Sequence, residues 1–430
     1  MRTSQRQPNS LHLADRLITL AAGAAAGILL SRNFFFSERK ITQEIKTDFA
    51  AGDPEFARTV SQLFGPPLVD GNSVTPLRNG QEIFPAMLRA IAEAKRSITL
   101  ENFVWSEGHV TMQFADALAE RARAGVKVHM LQDALGCGCL NGPSMQTLRE
   151  CPMDLEIFRL YGITQMNQRT HRKLLIIDGQ VGFTGGVAIS DDWDGNADRP
   201  QRWRDMQYRV EGPVVGQLQQ AFHENWMETR ACVLLGDDYF PELKPAGNLQ
   251  CQAFKSSATE GADSARLMLL ISLAAARHTI RIANAYFLPD DLTITTIVDA
   301  CRRGVKVEII VPGEKTDQEL IRKVGRSRWD KMIHAGARFY EYQPSRYHCK
   351  YLVVDECWSS VGSANMDDRS LRLNEESNLN VLNHDFAMEH IRIFEEDKAH
   401  SREITVEEWE ARPLSEKIAG KLGTVLRSQM

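Results

Sequence analysis

The chain has 430 residues, 51 of them basic and 56 acidic, for a net charge of −5 at pH 7. That length carries two domains with cores of their own, and the acidic balance excludes a globally basic nucleic-acid binder while leaving room for a local basic face. Eight cysteines at 137, 139, 151, 232, 251, 301, 349 and 357 keep neither disulfide-framework nor zinc-finger spacing, so no metal or other cofactor is expected.

Residues 1–40 form an N-terminal apolar segment. Within it Leu17 to Leu30 is an uncharged run of 14 with Arg16 before it and Arg32 after, shorter than the ~20 residues that span a bilayer. A membrane anchor, a cleaved signal peptide and a buried helix all fit; Gly23 and Gly27, which allow close helix contacts in lipid, favour the anchor. Residues 41–75 read as a linker: the stretch 37–75 looks like a charged helix and a Pro/Gly-rich entry loop with Gly65-Pro66-Pro67 in it. The first half, 76–235, opens with helical spacing from Ile83 to Ala94. A strand follows from Ser97 to Phe103, then a helix from Met112 to Ala124 closed by Gly125, then a strand from Val126 to Leu131. This is a β-α-β unit, for which a parallel pair with a right-handed crossover is expected. A polar loop with Trp193 and Trp203 leads to an amphipathic helix from Val214 to Trp226. A second linker covers 236–262. The second half, 263–430, repeats the series: helix Arg266 to Ala276, strand Thr279 to Phe287, helix Ile294 to Arg303 closed by Gly304, strand Val305 to Ile310. Asn284 aligns with Asn102. At the end Leu414, Ile418, Leu422, Val425 and Leu426 share one helical face, expected to dock on the domain.

The repeat is sharpest in one stretch. His171-Arg172-Lys173 runs into Leu174-Leu175-Ile176-Ile177-Asp178, with Gly185-Gly186 seven residues on. His348-Cys349-Lys350 runs into Tyr351-Leu352-Val353-Val354-Asp355, with Gly362-Ser363-Ala364-Asn365 seven residues on. One offset of 177 relates His, Lys, Asp and Gly, which marks a duplicated unit. The apolar runs read as buried strands, on which His and Lys two apart share a face. Asp178-Gly179 signals a hairpin turn. Asp178 and Asp355 are expected to fix these turns rather than touch a ligand. Two such sets facing each other make a site for a phosphate diester: one imidazole attacks phosphorus and the other protonates the leaving oxygen. Two lysines, Ser363 and backbone N–H groups hold the charge that develops on the phosphate oxygens.

Two H-x-K-x4-D motifs, each followed by Gly-Gly or Gly-Ser, resemble the phospholipase D superfamily. Trp203-Arg204-Asp205, Arg209-Val210-Glu211-Gly212-Pro213 and Gly362 to Leu371 are similar to its bacterial cardiolipin synthase branch. The likeness covers roughly residues 70 to 430, with one departure: Ala188 stands where many relatives carry Asn, while the second copy keeps Asn365. The resemblance implies an α/β fold of two similar α/β/α halves with mixed sheets, packed about a pseudo-twofold axis, plus the short N-terminal apolar helix. It implies a catalytic set of His171, Lys173, Asp178, His348, Lys350 and Asp355, with Gly186, Ser363, Asn365 and Glu376 on the substrate. His171 is the expected nucleophile and His348 the acid, with Glu376 behind that acid and its neighbour Glu375 left open. Anionic phospholipids and a membrane surface are the implied partners, nucleic acid is not, and the place is a bacterial inner membrane, anchored or peripheral. Arg199, Arg202 and Arg204, and Arg322, Lys323, Arg326 and Arg328, are candidates for a basic face, and Trp193 and Trp203 for a lipid contact or a core position. A hydrolase with the same residues, a nuclease and a non-catalytic scaffold are the alternatives.

Overall fold

The duplicated apolar runs become the middle strands of two matching sheets that join into one. The structure, a computed structural model, describes residues 41–138, 141–159, 168–257 and 264–412, with pieces at 18–20, 23–24 and 27. Most of Leu17 to Leu30 and all of the expected C-terminal apolar face lie outside the described residues. Among those described, no helix is long and apolar enough to cross a membrane.

The first half contains β1 (Val69–Arg78), β2 (Ser97–Asn102), β3 (Lys127–Asp133), β4 (Asp154–Phe158), β5 (Leu174–Ile177), β6 (Val181–Gly185), β7 (Trp203–Arg204) and β8 (Met206–Glu211). The second contains β9 (Leu249–Ser256), β10 (Thr279–Asn284), β11 (Lys306–Pro312), β12 (Arg338–Tyr342), β13 (Arg346–Tyr347), β14 (Lys350–Val354), β15 (Trp358–Gly362), β16 (Glu376–Leu382) and β17 (Ser401–Ile404). Antiparallel pairing of β1 with β9 joins the two sheets at the centre. Outward from that join the strands run 1-8-6-5-2-3-4 on one side and 9-16-15-14-10-11-12-17 on the other. Apart from β17 the two series match strand for strand, as two equal units about a pseudo-twofold axis require. Both sheets are mixed: β2–β3 and β10–β11 are parallel, while β2–β5 and β10–β14 are antiparallel.

Helices His109–Arg123 and Asp291–Arg302 make the crossovers between the parallel strands. All residues of β5 and β14 are buried, as expected of apolar strands in sheets covered on both faces. Two stretches read as linkers are structural. Helix Pro54–Leu63 packs Phe56 edge-on against Trp358, with ring centroids 4.8 Å apart, so the segment before the first half sits in the core of the second. The second linker contributes β9, a central strand. Its prolines and glycines lie around the strand rather than in it, while Ser256 ends it.

The two motif hairpins turn alike. Asp178 and Asp355 have φ of 54° and 48°, left-handed values that Asp adopts more readily than most residues. The Asp178 carboxylate accepts from the N–H groups of Lys95, Arg96 and Ser97 at 3.0, 2.7 and 2.9 Å. Asp355 accepts from Arg277, His278 and Thr279 at 2.6, 2.7 and 2.8 Å. Each carboxylate thus satisfies the entry to the neighbouring parallel strand, β2 or β10.

Candidate active site

Each imidazole is carried by one half and held by the other. The His171 N–H donates to the Glu375 carbonyl at 2.8 Å, and the Glu375 N–H to the Arg169 carbonyl at 2.8 Å, as Thr170 and Glu375 form a parallel bridge. The second copy repeats this: β13 pairs parallel with β7, and the His348 N–H donates to the Arg204 carbonyl at 2.8 Å. Each strap delivers the next residue's carboxylate to the ring. His171 Nδ1 lies 2.9 and 3.0 Å from the two Glu376 oxygens. His348 Nδ1 lies 2.7 Å from Asp205 Oδ2. A carboxylate only accepts, so Nδ1 carries the hydrogen in both rings and Nε2 is left to react.

This corrects one expectation. Glu376 stands behind His171, not behind His348, because the strap that positions it belongs to the His171 segment. Asp205 fills the place at His348; the sequence marked it only as part of Trp203-Arg204-Asp205, with no role at a ring. Strand register makes the two acids equivalent: Gly185 pairs with Gln207, and Gly362 with Asn378. The first half has six more residues between that glycine and its acid than the second, so a search at a fixed offset passes Asp205 by. Glu375, the open alternative, is tied instead to Arg159 at 3.2 Å and Arg172 at 3.1 Å.

The residues expected on the substrate divide. Asn365 lines a cavity of about 590 Å³ together with His171, Lys173, Ala188 and His348. Lys350 lines a smaller adjoining pocket of about 50 Å³, also walled by Asn365 and Glu376. Ser363 lies behind the imidazole, donating to Glu376 Oε2 at 2.5 Å; Ser370 donates to the other oxygen. Gly186 occupies the equivalent place, where a Cβ would come within 2.4 Å of Asp205 Oδ1. Instead of hydroxyls, Asp205 receives the Trp193 indole N–H at 2.8 Å and the Met206 N–H at 2.8 Å. Asp178 and Asp355 are not brought to the rings; they serve the far ends of β5 and β14.

Burial dominates the electrostatics. It pushes His171 down to about 4 against the raising pull of Glu376, and Lys173 lowers it further. His348 is lowered chiefly by burial and then by Lys350, with Asp205 opposing. Lys173 falls to about 7, mainly through burial and in part through Lys350; Lys350 is lowered by burial too. Each imidazole also feels the other half's lysine, so all four groups share one field. Burial raises both acids, but the partner imidazoles and lysines outweigh it and hold Glu376 and Asp205 ionised. Neutral rings oriented by carboxylates, beside two ammonium groups, suit attack on an anionic phosphodiester. Lys173 and Lys350 each donate to their own histidine's carbonyl, at 2.7 and 2.6 Å, which fixes both ammonium groups beside the motif.

Trp193 and Trp203 are buried, stacked with centroids 5.1 Å apart, and both meet His348 edge-on. The expected basic faces are largely neutralised: Arg204 pairs with Asp397, Arg322 and Arg326 with Glu341, and Arg328 with Asp291.

A family profile described as "Cardiolipin synthase, PLD-like domain" matches residues 87–226 and 269–398. Cardiolipin synthase 1 of Bacillus anthracis is 31% identical over 395 residues, covering 88% of this chain and 77% of the relative. Cardiolipin synthase A of Pseudomonas fluorescens is 31% identical over 355 residues, covering 82% and 74%. Among solved structures, phosphatidylserine synthase of Haemophilus influenzae superposes with a TM-score of 0.64 at 12% identity, over 87% of this chain and 99% of that one. Polyphosphate kinase of Porphyromonas gingivalis gives 0.53 at 12% identity, over 91% and 57%. At that identity both bear on the fold alone.

Proposed function

The chain belongs to the cardiolipin synthase family with phospholipase D-like domains, and on that premise we propose that it is a phosphatidyltransferase that makes cardiolipin from two phosphatidylglycerol molecules. The observation that carries the reading is the convergence of two carboxylate-backed imidazoles, one from each half, on one cavity.

In the first step His171 Nε2 attacks phosphorus. The P–N bond forms, the P–O bond to glycerol breaks, and His348 gives its proton to the departing oxygen. In the second step the terminal hydroxyl of another phosphatidylglycerol attacks the phosphohistidine. Its proton goes to His348, the new P–O bond forms, and the P–N bond breaks. His171 suits the first role because burial keeps its ring neutral and Glu376 fixes the tautomer. His348 needs a proton that burial disfavours; the diester's negative charge, arriving between the rings, restores it. The same charge favours the ammonium forms of Lys173 and Lys350, which then offset the growing charge on the phosphate oxygens.

The test is purified protein with labelled phosphatidylglycerol, followed by lipid chromatography. Cardiolipin and glycerol are expected from the native chain, and a loss of roughly 10³-fold or more in kcat from His171→Ala or His348→Ala, since the pair acts as a unit. Phosphatidic acid as the main product would replace the transferase with a hydrolase. A His171→Ala variant of native activity would end the reading.

A further inference from the structure

The cavity wall holds more cation than the phosphate between the imidazoles needs. Arg169, His171 and Lys173 alternate along one extended segment and all three line the cavity. Two residues along a strand advance roughly 6.5 Å, so the Arg169 side chain leaves the chain about that far from His171. Arg369 lines the same wall from the second half. The half-to-half strap brings them together: the Glu375 N–H donates to the Arg169 carbonyl at 2.8 Å, and the Asn374 N–H to the Arg369 carbonyl at 3.0 Å. Burial chiefly lowers Arg369, with Asp367 opposing; the guanidinium of Arg169 is close enough to lower it further, with Asp133 opposing. Burial pushes those two acids toward their neutral forms, Asp367 to about 7, so the patch favours an anion. Asn374 lines the same cavity beside the arginines, a buried residue whose Oδ1 has no hydrogen-bond partner.

We propose that Arg169, Arg369 and Asn374 form a subsite for the glycerophosphate headgroup of the second, accepting lipid, holding its phosphate while its terminal hydroxyl reaches the phosphohistidine. This rests on the transferase reading above. The guanidinium pair meets the phosphate, and the Asn374 carbonyl accepts from the glycerol's middle hydroxyl. The spacing along the strand is about the reach of a three-carbon bridge from hydroxyl to phosphorus. The subsite therefore selects an acceptor that carries an anionic phosphate beside a diol-derived hydroxyl, over water or free glycerol.

The experiment uses the full chain with phosphatidylglycerol in mixed micelles and labelled free glycerol. Exchange of label into phosphatidylglycerol reports the donor step with an uncharged acceptor; cardiolipin reports the lipid acceptor. In Arg369→Gln the ratio of cardiolipin formed to glycerol exchanged is expected to fall at least fivefold, with Arg369→Lys recovering part of it. Asn374→Asp, which sets a carboxylate against the acceptor phosphate, is expected to lower the ratio as much and decides the matter if the first variant does not fold. A smaller change in the ratio in folded protein overturns the subsite, even where both rates drop together. A native chain that neither exchanges glycerol nor forms cardiolipin removes the transferase reading, and the subsite with it.

Discussion

The two half-sites share a skeleton and differ in what surrounds it. Around His171 the acid is Glu376, gripped by the hydroxyls of Ser363 and Ser370. Around His348 it is Asp205, gripped by an indole and a backbone N–H, with Trp193, Trp203 and Tyr286 edge-on to the ring. The duplication has kept the Nδ1 hydrogen bond and the lysine while changing the second layer. Hydroxyls leave a carboxylate fully charged, which suits the proposed nucleophile, a ring that has to keep one tautomer. Aromatic walls exclude water and immobilise the ring, which suits the proposed proton donor. Likeness next to the rings and difference behind them fit the opposite roles proposed for the twin histidines.

The sharpest way to break that comparison is to neutralise each acid in turn. Glu376→Gln and Asp205→Asn are each expected to lower kcat roughly 100-fold, the scale of a misdirected acid–base group. An ester with an activated leaving group needs no proton donor. In single turnover it is expected to rescue Asp205→Asn and not Glu376→Gln; equal rescue of both would assign the halves the same role. Next in size are the equivalent positions 186 and 363. Gly186→Ala drives a Cβ into Asp205 and is expected to cost about tenfold in kcat. Ser363→Ala removes one donor from Glu376 but leaves Ser370, and is expected to cost less. The reverse order would mean that the hydroxyl, not the space, controls the carboxylate. The smallest effect is in pH. Lys173 has a folded value near 7, below that of an ordinary lysine, so its charge is present below that pH and lost above it. The kcat/KM of the free enzyme is expected to decline by a few-fold as pH rises through about 7, and Lys173→Arg to move that decline to higher pH. An unchanged profile would show that Lys350 alone carries the field.

Much of this arrangement was legible in the chain. The motif residues could be found because the copies keep one offset from His to Gly, and alternating geometry put His171 with Lys173, and His348 with Lys350, on common faces. The β-α-β units showed through their glycine-closed helices. The crossed pairing of ring and acid was not legible, since it depends on which half straps which, a property of the interface rather than of either repeat. Asp205 was hidden by the longer loop in its half, and the indole of Trp193 by being an aromatic residue amid polar ones. The helix at Pro54–Leu63 read as a charged helix within a linker because it buries only Phe56 and Val60; its place in the core depends on Trp358, far along the chain.

The exchange of carboxylates across the join has a consequence for how such a protein can exist at all. Severed between β8 and β9, either fragment would present a ring lacking its acid and an acid lacking its ring, so only association could restore a working couple. An ancestor with one repeat would have had to act as a pair of identical chains, with both couples changing together at every substitution. Fusing the copies ended that constraint: hydroxyls could gather around one acid and aromatic rings around the other, each without altering its counterpart.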